Sequence, residues 1–138
     1  MKKSHLFCAT ALALFAASAR PSFAEIAFPE FNIKADAEQT TNTMMPLYQK
    51  WSQDNVSSEK QKAEARNVLA HGAASYNRQQ FKFETMLRAW SVAHWNELSD
   101  DDKHACMLSG PKNSYLLLES CMRISLHQVE EIPEPPLD

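Results

Sequence analysis

Apolar side chains recur at helical spacing in two long segments of the chain. The first segment is 76–98, where the residues near one face of a 3.6-residue helix are Phe83, Met86, Leu87, Trp90, Ala93, His94 and Leu98. The second follows residue 113, with Leu117, Leu118, Cys121, Ile124, Ser125, Gln128, Val129 and Ile132 at the same spacing. Both segments predict helices, and the second helix is expected to continue until Pro133.

Two further helices are indicated by their capping residues. Residues 58–61, Ser-Glu-Lys-Gln, form a capping-box pattern that predicts a helix running toward Gly72, where glycine can end it. Ser99, followed three residues later by Asp102, predicts a short helix through Leu108. Gly110 and the proline after it would stop that helix and let the next one fold back.

An additional helix is expected between Asp36 and Asp54. Pro46 lies inside that span and should either kink the helix or mark the first turn of a shorter one. The segment outside 1–24 has only two glycines and no Asn-Gly or Asp-Gly pair, so hairpins are disfavoured. We therefore predict an all-α fold, a small bundle of four to five helices in a single domain over 25–132. This domain would include an extended N-terminal arm (25–35), and a flexible tail (133–138) would follow it.

The first 24 residues have the layout of a secretory signal peptide. Lys2 and Lys3 precede an uncharged apolar run at 6–17, and small residues at Ser22 and Ala24 suit cleavage after Ala24. The run is too short for a spanning helix, which needs about 20 apolar residues. These features predict export to the periplasm or the cell exterior, with no stable membrane insertion after cleavage.

Cleavage would make the remaining chain more acidic. The segment 1–24 holds three of the 14 cations and none of the 17 acids, so residues 25–138 carry 11 against 17, a net charge of −6. Such a balance disfavours nucleic acid as a partner and favours a basic protein. A homodimer is also compatible with the sequence.

Cleavage would also remove Cys8 and leave Cys106 and Cys121 as a pair. In an oxidising compartment such a pair predicts a disulfide, which would staple the last two helices into a hairpin. The closed loop of about 16 residues would contribute about 3 kcal/mol. The alternative is a metal site with His104 and His127, although the short Cys-x-x-Cys pair of common zinc sites is missing.

The remaining candidate residues point to binding rather than catalysis. The sequence contains no nucleophile, zinc or phosphate-loop motif, so we predict that the protein is not an enzyme and needs no cofactor. Trp95 lies one residue off the apolar stripe and is predicted to be a surface contact. Glu97, Asp100, Asp101 and Asp102 form an acidic cluster that could meet a basic partner. Asp100 to Asp102 could instead be only a charged helix start, and His94 a half-buried packing residue.

Three stretches of the C-terminal half resemble small secreted proteins of the LprI type. They are Leu-Arg-Ala-Trp at 87–90, Ser-Tyr-Leu-Leu-Leu-Glu-Ser-Cys at 114–121 and Val-Glu-Glu-Ile at 129–132. Some members of that family inhibit lysozyme. The resemblance implies a helical, exported, disulfide-linked protein with a basic target, and only the cysteine pair carries over as a residue-level role.

Two functional hypotheses follow. The first is an exported binding protein that inhibits or neutralises a cell-wall-degrading hydrolase, either as a lysozyme inhibitor or as an effector-immunity protein. The second is a structural or accessory subunit, or a chaperone, of an envelope secretion or conjugation machine. A chaperone would be expected to expose an apolar cradle.

Overall fold

The computed structural model describes residues 25–109 and 115–138, and these form an all-α fold, as predicted. Five α-helices follow one another: α1 (Ile33–Gln53), α2 (Glu59–His71), α3 (Ala73–His94), α4 (Asp100–Ser109) and α5 (Tyr115–Ser125). A 3₁₀ helix, Trp95–Glu97, connects α3 with α4. The predicted signal peptide lies outside the described residues. None of the helices within the described ranges is both long enough and apolar enough to cross a membrane.

The capping prediction for α2 is confirmed in atomic detail. The Ser58 side chain accepts a hydrogen bond from the backbone N–H of Gln61 at 3.1 Å, and the Gln61 side chain accepts one from the Ser58 N–H at 3.0 Å. Gly72 ends α2 and precedes α3 with a φ of +91°, a conformation that side chains with a Cβ rarely adopt. One glycine therefore separates two helices without a loop.

Helix α1 begins earlier and is longer than expected. The Asn32 side chain accepts a hydrogen bond from the backbone N–H of Ala35, so the helix starts at Ile33 and the extended arm is 25–32 rather than 25–35. The helix also continues through Pro46 to Gln53, which excludes the shorter alternative. The proline is accommodated inside α1 because the helix is held by packing on its neighbours.

Two hydrophobic cores share α3. The core near the N-terminal half of α3 joins it to α1 and α2 through Tyr48, Ala65, Val68 and Tyr76. The core near its C-terminal half joins it to α4 and α5, and its buried members are Phe83, Leu87, Trp95, Leu98, Cys106, Tyr115, Leu118 and Met122. Helix α3 is thus the common element against which both α1 and α5 pack.

The disulfide between Cys106 and Cys121 is formed, so the sulfur atoms are not available as metal ligands. It links α4 to α5, which pack on each other as the predicted C-terminal hairpin. Cys106 is completely buried, and Cys121 lies at the edge of the same core. The bond therefore fixes α4 to the body of the protein.

Helix α5 ends at Ser125, seven residues before the predicted end at Ile132. The backbone N–H of His127 donates to the carbonyl of Ile124, and that of Gln128 donates to the carbonyl of Arg123. His127 has a left-handed φ of 57°, and together these features make a Schellman C-cap. The apolar spacing of Val129 and Ile132 therefore belongs to an irregular segment, and the prediction of a longer helix is wrong.

The residues after α5 fold back onto the bundle. The Ser75 hydroxyl donates to the carbonyl of Asp138 at 3.3 Å, and Arg78 Nε donates to the Asp138 carboxylate at 2.9 Å. Leu137 packs against the α1–α2 core. The segment 133–138, for which a flexible tail was predicted, thus makes ionic contacts with α3 and an apolar contact with the α1–α2 core.

Candidate functional site

The predicted acidic cluster lies on the surface where the 3₁₀ helix leads into α4. Glu97, Asp100 and Asp101 are exposed, and Asp102 is half-buried. We call these four residues the acidic edge. The Ser99 hydroxyl accepts from the backbone N–H of Asp102 at 3.1 Å, which caps α4, as the sequence pattern indicated. The three aspartates lie in the first turn of α4, where their negative charge interacts favourably with the positive end of the helix dipole.

Asp100, Asp101 and Asp102 take part in no ion pair among the described residues. Glu97 is engaged locally, because its carboxylate contacts Nδ1 of His94. The His94 ring in turn lies on Trp90, with ring centroids 4.6 Å apart, and is half-buried. Asp100 and Asp101 are therefore both exposed and outside any ion pair in the described part of the chain, whereas Glu97 is paired with His94.

Trp95 is not a surface contact. Only 3% of the residue is exposed, and its indole Nε1 donates to the carbonyl of Ile26 at 2.7 Å. Phe28 meets the indole edge-on at 5.4 Å, so Trp95 anchors the N-terminal arm. The prediction of an exposed tryptophan is wrong because the 3₁₀ turn after α3 rotates this residue back toward the core.

A large open cleft lies on another part of the molecule, with a volume of about 1190 Å³. Its floor is α3 and its two walls are α1 and α5, while the segment after α5 borders it as well. The lining residues recur at helical spacing on each helix. They are Thr40, Met44 and Tyr48 of α1, Tyr76, Gln80, Phe83 and Leu87 of α3, Leu116, Glu119, Ser120, Arg123 and Ile124 of α5, and His127, Gln128, Val129, Glu131, Ile132, Pro133 and Glu134.

The first turns of the two walls are joined. The backbone N–H of Tyr115, the first residue of α5, donates to the Asp36 carboxylate of α1 at 3.3 Å. That N–H has no acceptor within its own helix, so Asp36 caps α5 from a distant part of the sequence. The two helices are therefore held together at their N-terminal ends, and the cleft lies along the turns that follow.

Arg123 connects three elements at the α5 wall. Its guanidinium contacts the Glu119 carboxylate and the carbonyl of Glu130, and it lies 4.4 Å from the centroid of the Trp90 ring. The Glu119 and Arg123 side chains are largely buried, and burial strengthens such a pair relative to an exposed one. Arg123 thus holds the segment after α5 against α3, although the sequence pattern did not single it out.

Two neighbouring carboxyl groups, Glu84 and the half-buried Asp36, lie between α1 and α3. Glu84 is completely buried, one carboxylate oxygen accepts from Nε2 of Gln80 at 3.1 Å, and the other has no donor among the described residues. Burial, followed by the neighbouring Asp36 carboxyl, raises the pKa of Glu84 to about 8. Glu84 is therefore protonated at neutral pH and can share its proton with Asp36.

A second group of carboxylates lies at the end of the cleft near α2. Tyr48 donates from its hydroxyl to Glu64 at 3.5 Å, and Nε2 of Gln79 donates to Glu134 at 3.4 Å. Glu131 and Glu134 both line the cleft, and Glu134 also lines a smaller pocket together with Glu64. We call Glu64, Glu131 and Glu134 the acidic trio. No ion pair among the described residues includes any of them.

No protein-family model, curated protein or solved structure matches this chain. The resemblance to LprI-type proteins therefore stays a prediction. Within the described residues, no three His, Cys, Asp or Glu side chains are grouped so that they could hold a metal ion.

The sequence pattern indicated the acidic edge but not the cleft. The spacing of Leu116, Ser120 and Ile124 was a usable signal, because it places a second stripe on α5 beside the one that packs in the core. Two apolar stripes on one short helix indicate that one face packs in the core and that a second face is suited to a further contact.

Proposed function

We propose that this protein is an exported, non-enzymatic binding protein that neutralises a basic cell-wall-degrading hydrolase in the periplasm or outside the cell. Its action would be that of a lysozyme inhibitor or an effector-immunity protein. The observation that carries the proposal is the acidic edge, with Asp100 and Asp101 exposed and outside any ion pair in the described part of the chain. The net charge of −6 for residues 25–138 supports a basic partner.

The setting of the acidic edge also supports a docking role. It begins next to Trp95, which is buried, and α4 is linked to α5 through the Cys106–Cys121 bond. A surface on such a rigid support loses little conformational entropy when it meets a partner. Exposed carboxylates on it would accelerate association with a basic protein and make binding sensitive to salt.

The test compares the exported protein with a variant carrying Asp100→Asn and Asp101→Asn. Binding to a panel of basic cell-wall hydrolases, including lysozyme, would be measured at low and at physiological salt, together with inhibition of cell-wall lysis. We expect at least one hydrolase of the panel to be bound and inhibited. Its Kd should be about three- to tenfold higher for the variant at low salt, and the difference should be smaller at physiological salt.

The matched control carries Glu30→Gln and Glu38→Gln, which remove the same net charge from exposed positions on the arm and α1. It should bind as the unaltered protein does. If no basic hydrolase is bound, the proposal is wrong. Equal weakening by both variants would mean that net charge matters and the acidic edge does not. Mass measurement of the exported protein, with an expected first residue of Glu25, tests the proposed processing.

The second candidate is an accessory subunit or chaperone of an envelope machine, and the open cleft between α1 and α5 favours it. The apolar lining of this cleft is not covered by any other part of the described chain. A chaperone or accessory subunit would use such a surface to hold a segment of another protein. Affinity purification of the exported protein with the products of neighbouring genes separates the two candidates. A stable complex with envelope-machine subunits and no hydrolase would support the second.

A further inference from the structure

The lining and the volume of the cleft suit a helix. Each of its three helices contributes residues separated by about one turn, so the cleft runs between three ridged surfaces of the kind that pack against a helix. Two turns of helix are about 11 Å long and about 10 Å across, a volume of about 860 Å³. A cleft of about 1190 Å³ therefore holds between two and three turns.

The mouth of the cleft is apolar and exposed. Leu116 is 46% exposed, Ile124 76% and Val129 91%. Ile124 belongs to α5 and Val129 to the segment after it, so the apolar surface continues from the wall to the border of the cleft. Large apolar side chains gathered around a concavity are typical of a surface that a partner covers.

The charges near the cleft define which partner fits. Arg123, a cation of the lining, is already held by Glu119 and the Glu130 carbonyl. Glu131 and Glu134 also line the cleft, and with Glu64 they make up the acidic trio, which has no cation paired to it in the described part of the chain. A Lys or Arg brought to this end would relieve the repulsion among the three carboxylates. An acidic or uncharged occupant would leave that repulsion in place.

We propose that the cleft binds an amphipathic helix of a protein partner, with its apolar face between α1 and α5 and a Lys or Arg at the acidic trio. This inference rests on the proposed function in one respect, namely that the partner is a basic protein. It names a different surface from the acidic edge. The occupant would contribute both the apolar burial that gives affinity and a positive charge that sets its orientation.

The experiment uses two synthetic 18-residue helical peptides that share a leucine face and differ in the opposite face, which is lysine in one and glutamate in the other. Binding to the protein purified after export would be measured by titration calorimetry. We expect the lysine peptide to bind, and the glutamate peptide to bind at least tenfold more weakly. Ile124→Ser and Val129→Ser should each weaken binding of the lysine peptide about tenfold, because each removes exposed apolar surface that the peptide would cover.

The controls are Val56→Ser and Leu108→Ser, since these side chains are 87% and 83% exposed and lie outside the cleft. They should bind the peptide unchanged. A variant with Glu131→Gln and Glu134→Gln should lose most of the preference for lysine, whereas Glu30→Gln with Glu38→Gln should keep it. All of these positions are exposed, so folding should be retained, and circular dichroism checks that it is.

Several results would overturn the inference. The inference is wrong if the lysine peptide does not bind, or if the two peptides bind equally well. It is also wrong if the cleft variants and the control variants weaken binding of the lysine peptide to the same extent. A dimer in sedimentation that Ile124→Ser dissociates would assign the cleft to a second copy of the chain instead. If a basic hydrolase is bound through the acidic edge and the lysine peptide does not bind, the cleft inference is wrong and the proposed function stands. If the lysine peptide binds in the cleft and no hydrolase is bound, the cleft inference stands and the proposed function is wrong.

Discussion

Replacing Glu84 by Gln is expected to stabilise the protein at neutral pH and to remove part of its pH dependence. Glu84 is completely buried beside Asp36, and its pKa is raised from 4.5 to about 8. In the unfolded chain the group ionises near 4.5, so between these two values the unfolded state binds fewer protons than the folded state. The contribution of Glu84 to stability is therefore greatest at low pH and is lost as the pH rises toward 8.

The size of the effect follows from the two pKa values. Holding the proton on Glu84 costs about 1 kcal/mol of folding free energy at pH 5 and about 3 kcal/mol at pH 7. Glutamine reproduces the neutral form: its oxygen can accept from Nε2 of Gln80, and its amide can donate toward Asp36.

The assay is urea unfolding of the unaltered protein and of Glu84→Gln between pH 5 and pH 8. The variant should gain about 3 kcal/mol over the unaltered protein at pH 7, and the two should differ by about 1 kcal/mol at pH 5. Other titrating groups affect both proteins alike, so the difference between the curves isolates the pair. Two parallel curves would refute the reasoning, and so would a variant that is less stable at pH 7.

Two other substitutions test the packing and the covalent link. Trp95→Ala should cost about 3 to 5 kcal/mol in unfolding free energy because the indole fills the core and anchors the arm, and Trp95→Phe should cost less because a ring remains. A small loss with Trp95→Ala, about 1 kcal/mol or less, would contradict its place in the core. Replacing Cys106 and Cys121 together by Ser should cost about 3 kcal/mol. Reductant should lower the unfolding midpoint of the unaltered protein to that of this variant, and it should leave the midpoint of the variant unchanged. If the two proteins have equal midpoints without reductant, the expectation is wrong.

Local signals in the sequence predicted most of the helices. The capping residues Ser58 and Ser99 identified the starts of α2 and α4, because a side-chain cap is formed by residues within one turn. The disulfide followed from the count of cysteines and from the expectation of export. These features depend on neighbours along the chain or on composition, so a single sequence contains them.

The features that the sequence did not predict depend on tertiary contacts. The spacing of Val129 and Ile132 suited a helix, yet the chain leaves the helix at His127 and packs this segment beside α3. Trp95 lies off the stripe in a regular helix, and the 3₁₀ turn brings it inside. The cleft arises because α1 and α5 both pack on α3, and periodicity says nothing about which helices become neighbours.

The cap that Asp36 provides for α5 has a consequence for the order in which the chain folds. Helix α5 has 11 residues, too few for a stable helix in isolation, and the acceptor for its first N–H lies 79 residues earlier. Helix α2 carries its own capping box and is joined to α3 through one glycine. The α2–α3 pair can therefore form from contacts close in the chain, whereas the cap on α5 can form only once α1 and α5 have both packed on α3. The first turn of α5 thus gains its full set of hydrogen bonds only in the assembled bundle.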